Sequence, residues 1–209
     1  MSGRLITLEG GEGAGKSTVI AAMEAWLGER GIDYLRCREP GGTPIGERIR
    51  ELLLDARNQG MAAQTELLLM FASRAQLVRA SIAPALARGQ WVLCDRFTDA
   101  SFAYQGGGRG IDSAVIAELE RWVVGRRPDL TLLLDVPVAV GLQRARGRDA
   151  APDRIESESE SFFERVRAAY RGMAAQQPQR FHVIDASAPL EQVVLAARAA
   201  LDALWQRSR

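Results

Sequence analysis

The chain has 209 residues, 47% of them hydrophobic, with 27 Lys+Arg against 26 Asp+Glu, which suits one domain with a full core over residues 1–209. A formal net charge of +1 gives no reason to expect nucleic acid or a membrane surface as a partner. No run approaches the roughly 20 apolar residues that span a bilayer, and no signal peptide precedes Leu5, so a cytoplasmic location is expected.

Leu5–Glu9 reads as a short, apolar first strand. It runs into Gly10-Gly11-Glu12-Gly13-Ala14-Gly15-Lys16-Ser17, which fits G-x-x-x-x-G-K-[ST] without a gap, and a helix is predicted over Lys16–Arg30. Side-chain-free positions let successive backbone N–H groups point at phosphate oxygens, and the helix N-terminus adds partial positive charge. Lys16 is placed to reach the β/γ-phosphates, and the Ser17 hydroxyl to hold Mg²⁺. Lys16 is also the sole lysine; every other basic side chain except one histidine is arginine, whose wide planar fork substitutes poorly for a compact ammonium.

The second strand, Tyr34–Arg38, leads into Arg38-Glu39-Pro40-Gly41-Gly42-Thr43. Arg38 there is either an acceptor-phosphate ligand or a solvated side chain beside a tight turn. Helices follow over Ile45–Leu54 and from Gln64 to about Arg88. Within the second, Phe71 and Arg74 lie three apart on one face, so a ring could stack on a base while an arginine bonds its edge. Core packing is the competing reading of Phe71. The third strand, Trp91–Asp95, ends in Asp95-Arg96-Phe97; the aspartate could orient Mg²⁺, and Arg96 could clamp a transferring phosphoryl group. Ser101 to Gln105 offers polar groups for a second wall, and Gly106-Gly107-Gly108-Arg109-Gly110 reads as a flexible turn.

A helix over Ser113–Val124 precedes the fourth strand, Leu130–Val136, where Asp135 is expected to help start the next helix, Val138–Arg146. Gly147–Asp153 is a polar, Arg-rich loop. Arg144, Arg146, Arg148 and Arg154 around it read either as a lid that brings positive charge to the phosphates and excludes water, or as a solvated cluster. A helix over Ser159–Ala174, the last strand Phe181–Asp185 and a helix over Leu190–Gln206 complete the chain. Gly31, Gly89 and Gly125 fall at C-terminal caps, and Pro44, Pro137 and Pro189 at first turns. Cys37 and Cys94 sit in strands and are read as reduced core thiols rather than a metal cluster or disulfide framework.

Short buried strands alternating with helices predict an α/β fold, a five-stranded parallel sheet with helices on both faces. Ligands in such a sheet sit beyond the carboxyl ends of the strands. No Asn-Lys-x-Asp guanine-reading element is possible, because the sole lysine is in the loop and the sole asparagine, Asn58, precedes glutamine. That weighs against a GTPase-type switch. A kinase acting on an uncharged nucleoside is disfavoured by Arg38 and Arg96, which would have no phosphate to hold.

Taken together, Glu9 to Thr18, Arg38 to Thr43, Asp95-Arg96-Phe97, Ala103 to Gly110, Arg127 to Thr131 and Asp153-Arg154-Ile155-Glu156 resemble bacterial thymidylate kinases, over nearly the whole chain. The resemblance implies a three-layer P-loop kinase with a short lid at about 144–156. It would transfer the γ-phosphoryl of ATP to dTMP with Mg²⁺, as a homodimer. It implies that residues Gly10 to Thr18, with Arg144 and Arg146, bind ATP, and that Ser17 and Asp95 hold the metal. Glu12 would read the deoxyribose 3′-OH, Arg38 and Arg96 would hold the dTMP phosphate beside Pro40, and Phe71 would stack on thymine while Arg74 bonds its O4. Ser101 and Gln105 would face the base edge, and Tyr104 would crowd out a ribose 2′-OH. Lys16, Arg96, Asp95 and Glu12, with Arg148 and Arg154 from the lid, would serve catalysis. Apolar residues on more than one face of Leu67–Leu86 agree with a dimer.

Overall fold

The computed structural model describes residues 3–147 and 152–207. Five strands, β1 (Leu5–Gly10), β2 (Tyr34–Arg38), β3 (Trp91–Asp95), β4 (Leu130–Asp135) and β5 (Phe181–Asp185), form one sheet in the order β2-β3-β1-β4-β5. All four pairings are parallel. β1, at the centre, is buried along its whole length, as an apolar strand covered on both faces must be. Its end is therefore flanked by the ends of β3 and β4, where Leu8 pairs with Asp95 and Gly10 with Leu134.

On one face, α1 (Lys16–Glu29) and α9 (Leu190–Gln206) pack Trp26, Met23, Leu201 and Leu204 against Ile6, Leu8 and Leu132. On the other lie α3 (Ala63–Leu77), α8 (Glu160–Gln176) and the helical segment between them, around Phe162, Phe163, Tyr170 and Phe97. α2 (Pro44–Leu54) starts at Pro44, one residue before the expected start. Thr43 caps it, its side chain accepting from the Gly46 N–H, and Pro44 sits at the first helical position where its missing N–H costs nothing.

The predicted helix from Gln64 to Arg88 is continuous but not uniform. α3 passes through a π-helical turn at Val78–Ile82 into α4 (Ala83–Ala87). The wide turn precedes Pro84, whose ring and missing N–H a regular helix cannot accommodate. Between β3 and α6 (Ser113–Val123), α5 (Thr98–Ser101) continues as a π-helix through Gly108, so Gly106, Gly107 and Gly108 of the expected flexible turn are helical instead, and only Gly110, at φ 76°, lies beyond the helix end. Two of them are needed for close packing: a Cβ at Gly107 would lie 2.7 Å from Ala169 Cβ, and one at Gly108 2.4 Å from the Phe162 ring.

Asp135 does not start α7 (Val138–Arg146), whose N-terminal cap is Pro137. Its carboxylate accepts from Arg167 Nε at 2.7 Å and Arg171 Nη1 at 3.1 Å, both on α8. The helical spacing of those two arginines puts a fork over the strand end, and the ion pair outcompetes a capping role. Cys37 and Cys94 are free and occupy paired positions of β2 and β3.

Candidate active site

A cleft of about 540 Å³ opens at the carboxyl end of the sheet. One side is the phosphate loop. Gly10, Gly13 and Gly15 take φ of 143°, 68° and 85°, a region side chains avoid. A Cβ on Gly13 would lie 2.0 Å from the Gly141 carbonyl, and one on Gly141 2.4 Å from the Glu12 carbonyl, so the loop and α7 meet through two glycines. Gly13, Ala14, Gly15, Lys16, Ser17 and Thr18 line the cleft. Gly10 and Gly11 stand behind it, their carbonyls accepting from Lys16 Nζ at 3.2 and 3.0 Å. Burial, with Arg96 close by, lowers the Lys16 pKa to about 8.

Arg96 bridges the two halves of the cleft. It is the one non-glycine residue at positive φ, 65°, among the described residues, a conformation that costs about 1 kcal/mol or more and needs support. Support comes from Glu9, fully buried at the end of β1: its carboxylate accepts from the Phe97 N–H at 2.7 Å and from Tyr170 Oη at 2.6 Å. Desolvation, reinforced by Asp99, pushes the Glu9 pKa up to about 8. The guanidinium so placed donates to the Gly10 carbonyl at 2.9 Å and to Glu12 Oε1 at 2.8 Å, over the Tyr104 ring. Tyr104 Oη donates to the same Glu12 oxygen at 3.1 Å. Asp95, beside it, lines the cleft, and its Oδ1 is buried without a hydrogen-bond partner.

The far wall is built on α3. Arg74, 2% exposed, spreads its guanidinium between Glu39 Oε2 at 2.7 Å, Ser101 Oγ at 3.0 Å and the Phe97 carbonyl at 3.1 Å. Ser101, Tyr104, Gln105 and Pro40 line the cleft with it. Arg38 reaches the rim, paired in two bonds with Glu47 on α2 at 3.0 and 2.8 Å. Arg50, which the sequence reading did not single out, also lines the cleft; it lies one helical turn from Glu47 and donates to the Pro40 carbonyl at 3.0 Å.

Two side chains expected in the site, Phe71 and Arg154, lie outside the cleft lining. Phe71 does not face the cleft. Its ring is 2% exposed, packs with Leu67 and Ile116, and carries the Arg74 guanidinium 4.5 Å from its centroid. Met70 lines the cleft instead; one residue on a helix is a rotation of about 100°, and α6 claims the face that Phe71 occupies. Arg154 does not face the phosphates either. It is 2% exposed, donating to Glu66 Oε2 at 2.6 Å and to the Leu53 carbonyl at 2.7 Å. Of the remaining lid arginines, Arg144 lines the cleft and donates to the Ala186 carbonyl, Arg146 is exposed outside it, and Arg148 falls outside the described residues.

Residues 8–196 match the model of the thymidylate kinase family. The chain belongs to the thymidylate kinase family. It is 57% identical to a thymidylate kinase of Pseudomonas entomophila over the full length of both chains. With one of Chromohalobacter salexigens it shares 60% identity over 91% of each. Among solved structures, the thymidylate kinase of Ehrlichia chaffeensis superposes with a TM-score of 0.79 at 31% identity, covering 98% of this chain and all of that one.

Proposed function

We propose a division of labour for a thymidylate kinase that phosphorylates dTMP to dTDP with ATP as donor, the step that feeds dTTP synthesis. The observation that carries it is a single cleft in which the phosphate loop and the Arg74–Ser101–Gln105 wall face each other across Arg96. In this reading the amides of residues 13–18, the Lys16 ammonium and the α1 N-terminus hold the triphosphate, with Arg144 on its outer side. Arg38 and Arg96 hold the dTMP phosphate beside Pro40. The base lies against Met70, its edge toward Arg74, Ser101 and Gln105, and the sugar lies beside Glu12 and Tyr104.

An oxygen of the dTMP phosphate attacks the γ-phosphorus in line, the bond to the β-phosphate oxygen breaks, and ADP leaves without a covalent enzyme intermediate. Arg96 and Lys16 stabilise the equatorial charge, and positioning supplies most of the remaining rate. The donor set fits Mg²⁺: Ser17 offers a hydroxyl and Asp95 a carboxylate, both lining the cleft, and the buried Asp95 Oδ1 has no hydrogen-bond partner. Bound there, the ion would neutralise β/γ-phosphate charge.

We also read residues 1–209 as one domain that works in the cytoplasm as a homodimer; among the described residues no helix is long and apolar enough to cross a membrane. Support for the dimer is an apolar groove on α3, α4 and α6 that includes Leu68, 59% exposed, and Trp122, 79% exposed. Following ADP formation with Mg·ATP and a panel of dTMP, dUMP, dCMP and AMP tests the acceptor assignment. Preference for dTMP is expected, and equal turnover of all four would reject it.

A further inference from the structure

Glu66 on α3 is 1% exposed, and its carboxylate is where three elements meet. Oε2 accepts from Arg154 Nη2 at 2.6 Å and Arg109 Nη2 at 3.0 Å; Oε1 accepts from Gln105 Nε2 at 2.9 Å and Arg109 Nε at 3.2 Å. Burial works to raise its pKa, but the bonds from Arg109, Gln105 and Arg154 outweigh that and hold it below the usual carboxylate value. Arg154 is pinned further by its backbone N–H on the Leu54 carbonyl at 3.0 Å. That docks a turn whose Asp153, Ile155 and Glu156 line the cleft. Gln105 lines it too, and an ionised carboxylate can only accept, so the amide must turn its nitrogen to Glu66. Oε1 is then what Gln105 has to offer a base, a group suited to the imide N–H of thymine and not to the unprotonated ring nitrogen of cytosine.

We propose that Glu66 is a positioning residue that sets two walls of the acceptor half of the cleft from one buried charge. It fixes the Gln105 amide so that it presents an acceptor, and it docks the 153–157 turn through Arg154. This rests on the placement of the dTMP base against Arg74 and Gln105.

The test is Glu66→Gln, assayed for turnover of dTMP and dCMP and digested natively with trypsin. The neutral amide lets Gln105 turn over and releases Arg154. The dTMP KM should rise by about tenfold, the worth of roughly one charge-assisted hydrogen bond, with the ATP KM nearly unchanged. The dTMP:dCMP ratio of kcat/KM should fall, and cleavage after Arg154, absent in the parent, should appear. A folded variant with parental KM and ratio overturns the proposal whether or not cleavage appears, since Glu66 is then structural only; altered kinetics without cleavage overturns it as well. If Glu66→Gln fails to fold, Arg154→Gln leaves Glu66 with Arg109 and Gln105. It should raise the dTMP KM while keeping discrimination against dCMP, and an unchanged KM there overturns the docking role. Arg74→Gln serves as the control: a parental dTMP KM in that variant removes the base placement itself, whereas a raised KM there beside a silent Glu66→Gln removes only the role given to Glu66.

Discussion

Met70 and Phe71 are neighbours on α3 whose side chains point about 100° apart, one to the cleft and one to the cluster under α6, so truncating each should damage a different property. Phe71 is 2% exposed in an apolar cluster and lies under the Arg74 guanidinium. Phe71→Ala removes a packed ring at a cost of about 3–5 kcal/mol. At roughly 2–4 °C per kcal/mol for a chain of this size, the melting midpoint should fall by about 6–20 °C. Arg74 keeps its bonds to Glu39, Ser101 and Phe97, so the dTMP KM should move by less than about threefold, under 1 kcal/mol. Met70 is half-buried at the cleft. Met70→Ala removes three heavy atoms from the proposed base contact, about 2.4 kcal/mol at roughly 0.8 kcal/mol per methylene-sized group, or a rise of about thirtyfold to sixtyfold in dTMP KM. Its midpoint should change little. Differential scanning calorimetry and initial-rate kinetics on both variants decide the matter. A stable Phe71→Ala with a large rise in dTMP KM, beside a kinetically silent Met70→Ala, would refute the assignment of the two faces.

The Lys16 pKa, lowered to about 8, means that the free protein loses this ammonium as pH rises through about 8. The kcat/KM for ATP should fall across that range, and a profile flat to pH 9.5 would contradict it. Lys16→Ala should lose turnover by orders of magnitude while keeping its fold, because the loop is held by backbone and glycine contacts. Glu9 has a folded pKa raised to about 8 from 4.5, so the folded state binds the extra proton between those values. Its stabilising contribution is complete below about pH 4.5 and is lost as pH rises through about 8. Glu9→Gln should flatten the dependence of the melting midpoint on pH over that window, and an unchanged slope would reject the shift. Trp122→Glu should convert a dimer to particles of the 22.8 kDa chain mass in sedimentation; parental protein that already sediments at that mass removes the dimer.

β1, β3 and β4 were legible because a strand covered on both faces must be a continuous apolar run, and the phosphate loop because its glycines serve a backbone requirement that few other residues meet; β2 and β5, expected to be buried like the rest, lie at the sheet edges and are only partly buried. What lay beyond reach were features decided by a neighbour. Leu67 to Phe71 is apolar on every side, so only the position of α6 tells which ring is core and which side chain meets the cleft. Gly106 to Gly108 reads as a turn until α8 is laid across it and the missing side chains become the means of close approach. Arg154 looks like a lid cation until Glu66, 88 residues away in the chain, is found to hold it. Gly141 carried no motif, and its need is visible only where α7 meets the loop at the Glu12 carbonyl.

A crystal structure with ADP and dTMP bound together tests the central claim most directly. The account predicts diphosphate on the amides of residues 13–18, the dTMP phosphate between Arg38 and Arg96, and thymine against Met70 with its edge toward Arg74 and Gln105. A thymine seated away from the Arg74 wall, or a dTMP phosphate not directed at the diphosphate, would contradict it.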